Sequence, residues 1–325
     1  MNRLVGRIRE RAMQIRDLIA AMHKTEQYIK ANACSRTILY VDDELRWRSI
    51  VRILDSRIIH FSGLLHRSDG KRASIYNRWV RANFAHDVCP VRWQGKGFCL
   101  EMPKLFQNAA DVVVSDLREI YLENLYARLF PYGRLINDGD VVIDAGANIG
   151  AFAIYAALLG SNVKVLAFEP EPTTFEALRR NVEINGLSSQ IQCFPYGLAA
   201  CDGNFALIRN EGCFTMHKLA NPERNLNVEN AVLTPREQVV RCVTIDQMLD
   251  EAEVRRCDVI KMDIEGAERA ALRGAVETIQ RYRPKLTIAA YHLLSDAYVL
   301  PVMVKDMLND YNILVSREAH LYAFV

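Results

Sequence analysis

The sequence has no cysteine pair at C-x-x-C spacing, no internal repeat, no low-complexity tract and no apolar run near the ~18 residues that span a bilayer. Each absence removes a class of protein. The eight cysteines stand singly, which argues against a zinc site and reads as reduced core thiols. Without a spanning segment or the uninterrupted apolar stretch of a secretory signal, the expectation is a soluble, cytoplasmic protein. Charge of either sign is scarcely in excess: 41 Lys and Arg against 39 Asp and Glu leave +2. That balance hides an asymmetry, because residues 1–110 hold 20 basic and 10 acidic side chains and the rest hold 21 and 29. Two regions are expected, residues 1–110 and residues 111–325.

The basic region opens with apolar positions at helical spacing, including Leu4, Ile8, Ile15, Leu18 and Met22, interleaved with Arg3, Arg7, Arg9, Arg11 and Arg16. Such a helix over residues 1–33 presents a solvated charged face and packs on its own domain or on a second copy in a homodimer. An anionic membrane or nucleic acid is the alternative surface, and Trp47, Trp79 and Trp93 could stack on bases. A lone Trp is more economically read as core, so nucleic acid is the disfavoured partner. Residues 37–41 and 51–61 have strand-like content, Ser68 to Gly70 mark a turn, and Gly95 to Gly97 suggest the turn of a hairpin. A helix is expected over residues 115–130.

From Val141 onward, short apolar runs alternate with amphipathic stretches, the pattern of βαβ units in a parallel sheet. Strands are expected at 141–145, 163–168, 191–194, 259–262 and 286–290, with helices at 149–159, 173–185, 267–279 and 298–309. Two further strands fall near 312–315 and 321–325. Residues 199–243 break the rhythm, and the Asp202-Gly203 turn suggests an antiparallel hairpin over the sheet; the insert is set at 203–241.

Three strand ends carry the chemistry. Val141-Val-Ile-Asp-Ala-Gly-Ala-Asn-Ile-Gly150 is a buried strand ending in a carboxylate and turning through small residues into a helix, whose N-terminal N–H groups suit a carboxylate or phosphate. Asn148 replaces the second glycine of a dinucleotide fingerprint, and Asp144 would repel a diphosphate but attract an ammonium group. This favours S-adenosylmethionine over NAD, leaving an NAD-dependent oxidoreductase as the alternative. Glu169, 19 residues after Gly150, stands where a carboxylate grips both ribose hydroxyls. The third strand end, Lys261-Met-Asp-Ile-Glu-Gly-Ala-Glu268, places Asp263 and Glu265 beside the reacting centre. There they could bind a hydroxyl, act as base or hold a divalent metal. Glu268 is a candidate helix cap. His292, directly after a central strand, is the preferred general base, with Lys261, Asp263 and His217 as alternatives.

Together, Asp144-Ala-Gly-Ala-Asn-Ile-Gly150, Phe168-Glu-Pro170, Asn181 to Asn185, Thr244-Ile-Asp246, Lys261 to Glu268, Arg283-Pro284 and Tyr291-His292 resemble the FkbM family of methyltransferases over residues 111–325. The resemblance implies an α/β class I methyltransferase fold: a Rossmann-like, doubly wound, mostly parallel seven-stranded sheet, with a smaller N-terminal α+β region. It also implies S-adenosylmethionine-dependent O-methylation of a hydroxyl on a sugar, glycolipid, polysaccharide or related natural product, with no required metal. Asp144, Gly146, Ala147, Asn148, Gly150, Glu169, Pro170 and Asp263 would surround the cofactor. His292, Asp263, Glu265 and Lys261 would form the catalytic group. A nucleic-acid-modifying methyltransferase using the basic region is the remaining alternative.

Overall fold

The structure, a computed structural model, describes residues 38–40, 88–93, 96–101, 116–122, 124–127, 134–210, 213–223, 232–251, 254–316 and 318–325. Among the described residues the strands are β1 (Ile38–Tyr40), β2 (Val88–Trp93), β3 (Lys96–Glu101), β4 (Val141–Ala145), β5 (Lys164–Phe168), β6 (Ile191–Phe194), β7 (Gly197–Leu198), β8 (Gly203–Ile208), β9 (Lys218–Leu219), β10 (Glu237–Val243), β11 (Val259–Met262), β12 (Lys285–Ala289), β13 (Asn312–Val315) and β14 (His320–Phe324). The α-helices are α1 (Ala151–Leu159), α2 (Pro172–Ile184), α3 (Ile245–Glu251), α4 (Glu268–Arg273), α5 (Val276–Tyr282) and α6 (Asp296–Met307).

The main sheet runs β1-β13-β14-β12-β11-β4-β5-β6, with β14 antiparallel to both its neighbours and every other pairing parallel. Seven of its strands come from residues 141–324, as the class I pattern requires. The eighth, β1, lies within the strand-like stretch expected at 37–41 and pairs with β13. Strands β4, β5 and β11 are nearly all apolar because both faces of the sheet are covered. Val142, Val165 and Val259 point into one core with α1 and α2. Their neighbours Ile143, Leu166 and Ile260 point into a second core with α3 to α6. Alternation along each strand thus places helices on both faces, and the chain is doubly wound.

Two elements differ from expectation. The helix expected over 267–279 is broken into α4 and α5 at Gly274, where a Cβ would lie 2.3 Å from the Ala199 carbonyl oxygen just after β7, an approach that only glycine admits. The Asp202-Gly203 turn does not close a hairpin, because the small sheet is ordered β7-β10-β8-β9 and β10 lies between the strands flanking that turn. Strand β10 pairs parallel with β7 and antiparallel with β8.

The expected hairpin forms from β2 and β3, with Trp93 opposite Lys96, so Gly97 belongs to a strand rather than to the turn. Two asparagines fasten it to α2. The Asn181 side chain accepts from Glu101 N at 2.5 Å and donates to Glu101 O at 2.9 Å, and that of Asn185 does the same for Cys99 at 2.7 and 2.6 Å. These amides satisfy the open edge of β3 much as a neighbouring strand would. Of the helix expected over 115–130, a short helical run at 116–122 is described, and 128–130 lie outside the described residues. The basic helix of residues 1–33, the strand-like stretch 51–61, the turn at 68–70, and Trp47 and Trp79 also lie outside them. No helix among the described residues is long and apolar enough to cross a membrane.

Candidate active site

The carboxyl ends of β4, β5 and β11 open on a cavity of about 470 Å³, in the range of small-molecule sites. One wall is mainly backbone. After β4 the chain turns through Gly146 (φ 74°), Asn148 (φ 52°) and Gly150 (φ 92°) into α1. A Cβ on Gly146 would come within 2.0 Å of the Asp263 carbonyl oxygen, so only glycine lets the β4 turn pass the end of β11. Asparagine tolerates the left-handed conformation, which explains how Asn148 serves in place of a second glycine. Its N–H donates to Glu169 Oε2 at 3.0 Å, and its buried side-chain oxygen has no hydrogen-bond partner.

Glu169 ends β5 with its carboxylate buried, and the N–H of Glu171 donates to its other oxygen at 2.9 Å. Burial pushes its pKa up to about 7, against the pull of those two N–H groups. Pro170 and Gly197 follow on the same wall, with Tyr196, Leu198, Phe168, Phe214 and Leu207 providing apolar surface.

The opposite wall is built from charged and phenolic side chains. Asp263 follows β11, and its Oδ2 accepts from Tyr126 at 2.7 Å and Tyr291 at 3.3 Å. Burial opposes its charge, but Lys261, His292 and Tyr126 hold its pKa below the usual carboxylate value. Glu265, left-handed at φ 54°, also faces the cavity, and burial raises its pKa to about 7. His292 Nε2 lies 3.4 Å from Asp263 Oδ1 and 3.6 Å from Glu265 Oε2. Its Nδ1 meets Glu268 Oε1 at 2.9 Å. Burial alone would lower the His292 pKa; the Glu268 hydrogen bond and the three surrounding carboxylates raise it to about 9. Glu268 is not a simple helix cap: its fully buried carboxylate accepts from Ile264 N at 2.9 Å and orients His292.

Gly146, Ala147, Asn148, Glu169, Pro170, Lys261, Asp263 and Glu265 all line this cavity. Asp144 and Gly150 do not. Asp144 is fully buried, and its Oδ1 lies 2.9 Å from Lys261 Nζ. That ammonium also donates to the carbonyls of Ala145 at 3.2 Å and Gly146 at 2.7 Å. Paired with Asp144 and donating to two carbonyls, Lys261 braces the β4 turn from beneath. His292 stands just behind the wall formed by Asp263 and Glu265. His217 lines the cavity, but its Nδ1 accepts from Asn210 N at 2.9 Å, and burial lowers its pKa.

Sequence reading missed Asp116, Glu119, Tyr126 and Tyr196 on the walls. Burial, reinforced by the charges of Glu119 and Asp263, raises Asp116 to about 8. Asp116, Glu119 and Tyr126 precede β4 and carry no local motif; only the fold brings them to the strand ends.

The Methyltransferase FkbM domain matches residues 144–312, from the β4 carboxylate to the first residue of β13. Methyltransferase 1 of Beauveria bassiana is 29% identical over 168 residues, 48% of this chain and 65% of that protein. The 31-O-demethyl-FK506 methyltransferase FkbM of Streptomyces tacrolimicus is 30% identical over 193 residues, 54% of this chain and 73% of that protein. The hexuronic acid methyltransferase AglP of Haloferax volcanii is 27% identical over 143 residues, 44% of this chain and 53% of that protein. The match thus spans less than two thirds of the first and last of these relatives. With the domain match covering half of the sequence and every strand end that lines the cavity, the chain belongs to the FkbM family of methyltransferases.

Proposed function

We propose that this chain transfers a methyl group from S-adenosylmethionine to a hydroxyl of a sugar, glycolipid, polysaccharide or related natural product. The observation that carries the reading is one cavity that joins a backbone cradle at Gly146 to Asn148 with the carboxylate of Asp263, behind which His292 Nε2 stands 3.4 Å from Asp263 Oδ1. The cradle fits a nucleoside. Glu169 keeps a lone pair on each oxygen for a ribose diol, the partnerless Asn148 oxygen calls for a donor, and Tyr196 to Leu198 offer a shelf for a base. The names of relatives acting on FK506 and on a hexuronic acid support an oxygen acceptor. Asp144 enters this scheme through Lys261, which it holds under the cradle, and not through the cofactor's ammonium group.

When bound, S-adenosylmethionine supplies a methyl group on a positively charged sulfur. Asp263, an anion at the wall, accepts the hydrogen bond of the incoming hydroxyl and orients its oxygen. His292 has the proton affinity that Asp263 lacks, and Glu268 fixes its ring. In the free site His292 carries a proton below about pH 9. To accept the hydroxyl proton His292 must be neutral, a form that its raised pKa makes predominant only above about pH 9 and that a cationic ligand nearby would favour at lower pH. Neutral His292, its Nδ1 held by Glu268, would take up the hydroxyl proton at Nε2.

Calorimetric titration with S-adenosylhomocysteine tests the cradle. The wild type should bind, and Glu169→Ala should weaken binding by about 1.5–3 kcal/mol, the worth of hydrogen bonds to a charged group. An unchanged titration would remove Glu169 from the cofactor site, and no wild-type binding would remove the cofactor.

A further inference from the structure

The Asp263–Glu265–His292 cluster is spaced too widely for good hydrogen bonds and close to the spacing of ligands around one ion. His292 Nε2 is 3.4 Å from Asp263 Oδ1 and 3.6 Å from Glu265 Oε2, beyond the roughly 2.7–3.2 Å of a good N–H···O bond. One donor atom from each of the three residues lies within 4.8 Å of the others. Metal bonds of about 2.1 Å set neighbouring donors about 3.0–3.4 Å apart and opposite ones about 4.2 Å apart.

The surroundings separate the atoms that are occupied from those that are open. Tyr126 and Tyr291 both donate to Asp263 Oδ2, which leaves Oδ1 facing the imidazole. Glu268 Oε1 holds Nδ1 of His292 and is itself fixed by Ile264 N, which turns Nε2 toward the two carboxylates. A buried carboxylate behind a histidine is the usual support of a metal-bound imidazole, setting both its tautomer and its direction. The Glu268 carboxylate, 0% exposed, has no hydrogen-bond partner on Oε2 and adds negative charge next to the cluster. Of the two lysines whose charges reach the cluster, Lys261 is engaged by Asp144 and two carbonyls, and Lys218 acts on Glu265 alone. Glu265 reaches the cluster through two successive left-handed residues, φ 54° and then 98° at Gly266.

We infer that Asp263 Oδ1, Glu265 Oε2 and His292 Nε2 form a facial binding site for one divalent cation of the Mn²⁺ type, with its remaining positions open to the cavity. One imidazole and two carboxylates, with no thiolate, suit such an ion. The site accounts for the imidazole direction, the acidic excess and the left-handed Glu265 turn together. Coordination through Nε2 takes the lone pair that proton transfer needs, so the cation and the acceptor's proton exclude each other at His292. That consequence rests on the proposed function; the binding of the ion does not.

Mn²⁺ titration of the whole chain, read by calorimetry and by loss of the free-ion paramagnetic resonance signal, tests the site. The expected result is one ion per chain, with Glu265→Gln and His292→Ala each weakening binding at least about tenfold. Asp250→Asn, at an exposed position of α3, should bind as the wild type does. Circular dichroism and S-adenosylhomocysteine titration check that each variant is folded. Absence of wild-type binding up to about 1 mM, the range of the weakest protein cation sites, would overturn the inference. So would unchanged affinity in both Glu265→Gln and His292→Ala. A wild type that takes Mn²⁺ but not S-adenosylhomocysteine would sink the cofactor reading and leave the cation site standing.

Discussion

The two walls of the cavity are made of different material. At the ends of β4 and β5, left-handed turns, backbone N–H groups and one buried carboxylate form a cradle whose shape is set by small residues adjacent in sequence. At the end of β11 and just beyond β12, four ionisable side chains hold one another, and their phenolic partners come from residues 126 and 291. A ligand recognised through backbone needs a fixed shape, whereas proton movement needs groups whose charge responds to what is bound. Lys261 joins the two walls: it leaves the β11 strand, crosses beneath the β4 turn and pairs with Asp144.

The sharpest way to separate the walls is His292→Ala. Loss of a positioned general base costs about 10²–10⁴ in rate. Transfer of labelled methyl from S-adenosylmethionine into glycan or extract acceptors should fall by that order, while S-adenosylhomocysteine affinity stays close to wild type. Undiminished transfer would leave the charged wall without its proposed acceptor of the proton.

Asp144→Ala should instead damage both walls, because it strands the Lys261 ammonium in the core. Removing one member of a buried ion pair costs about 3–5 kcal/mol. Both groups are almost fully buried, so solvent screening reduces this little. A denaturant midpoint unchanged from wild type would refute the brace. Burial raises the Asp144 pKa, and Lys261 pulls against that rise, so the contact favours the ionised carboxylate.

The same contrast explains what the sequence disclosed. β4, β6, β11 and β13 match their expected bounds because each is a short apolar run closed by a turn residue, and periodicity alone identifies it. Gly146 and Asn148 were legible because the turn they form is local. The direction of Asp144 was not, since a strand residue points to one face or the other and only the register with Lys261 decides which. Asp116 and Tyr126 were invisible for the same reason: nothing beside them in the chain refers to Asp263. The close approach at Gly274 was hidden because its partner, the Ala199 carbonyl, lies 75 residues away.

A smaller effect sharpens the comparison from the cradle side. Glu169 has a folded pKa raised from 4.5 to about 7 by burial. The apo protein therefore favours the neutral acid: this group's contribution to stability is complete below pH 4.5 and is lost as pH rises through 7. A ribose diol donates two hydrogen bonds, which the ionised carboxylate accepts best, so the cofactor should prefer the opposite protonation state. S-adenosylhomocysteine affinity should then rise with pH and level off above 7, falling by up to about tenfold for each unit below it. Asp116 and Glu265 also titrate in this range, so the assignment depends on Glu169→Gln, which keeps the shape and cannot ionise. That variant should bind more weakly at pH 8 and should flatten the profile between pH 5.5 and 7. If the slope survives the substitution, the proton belongs to the charged wall, and the cradle recognises its ligand by shape alone.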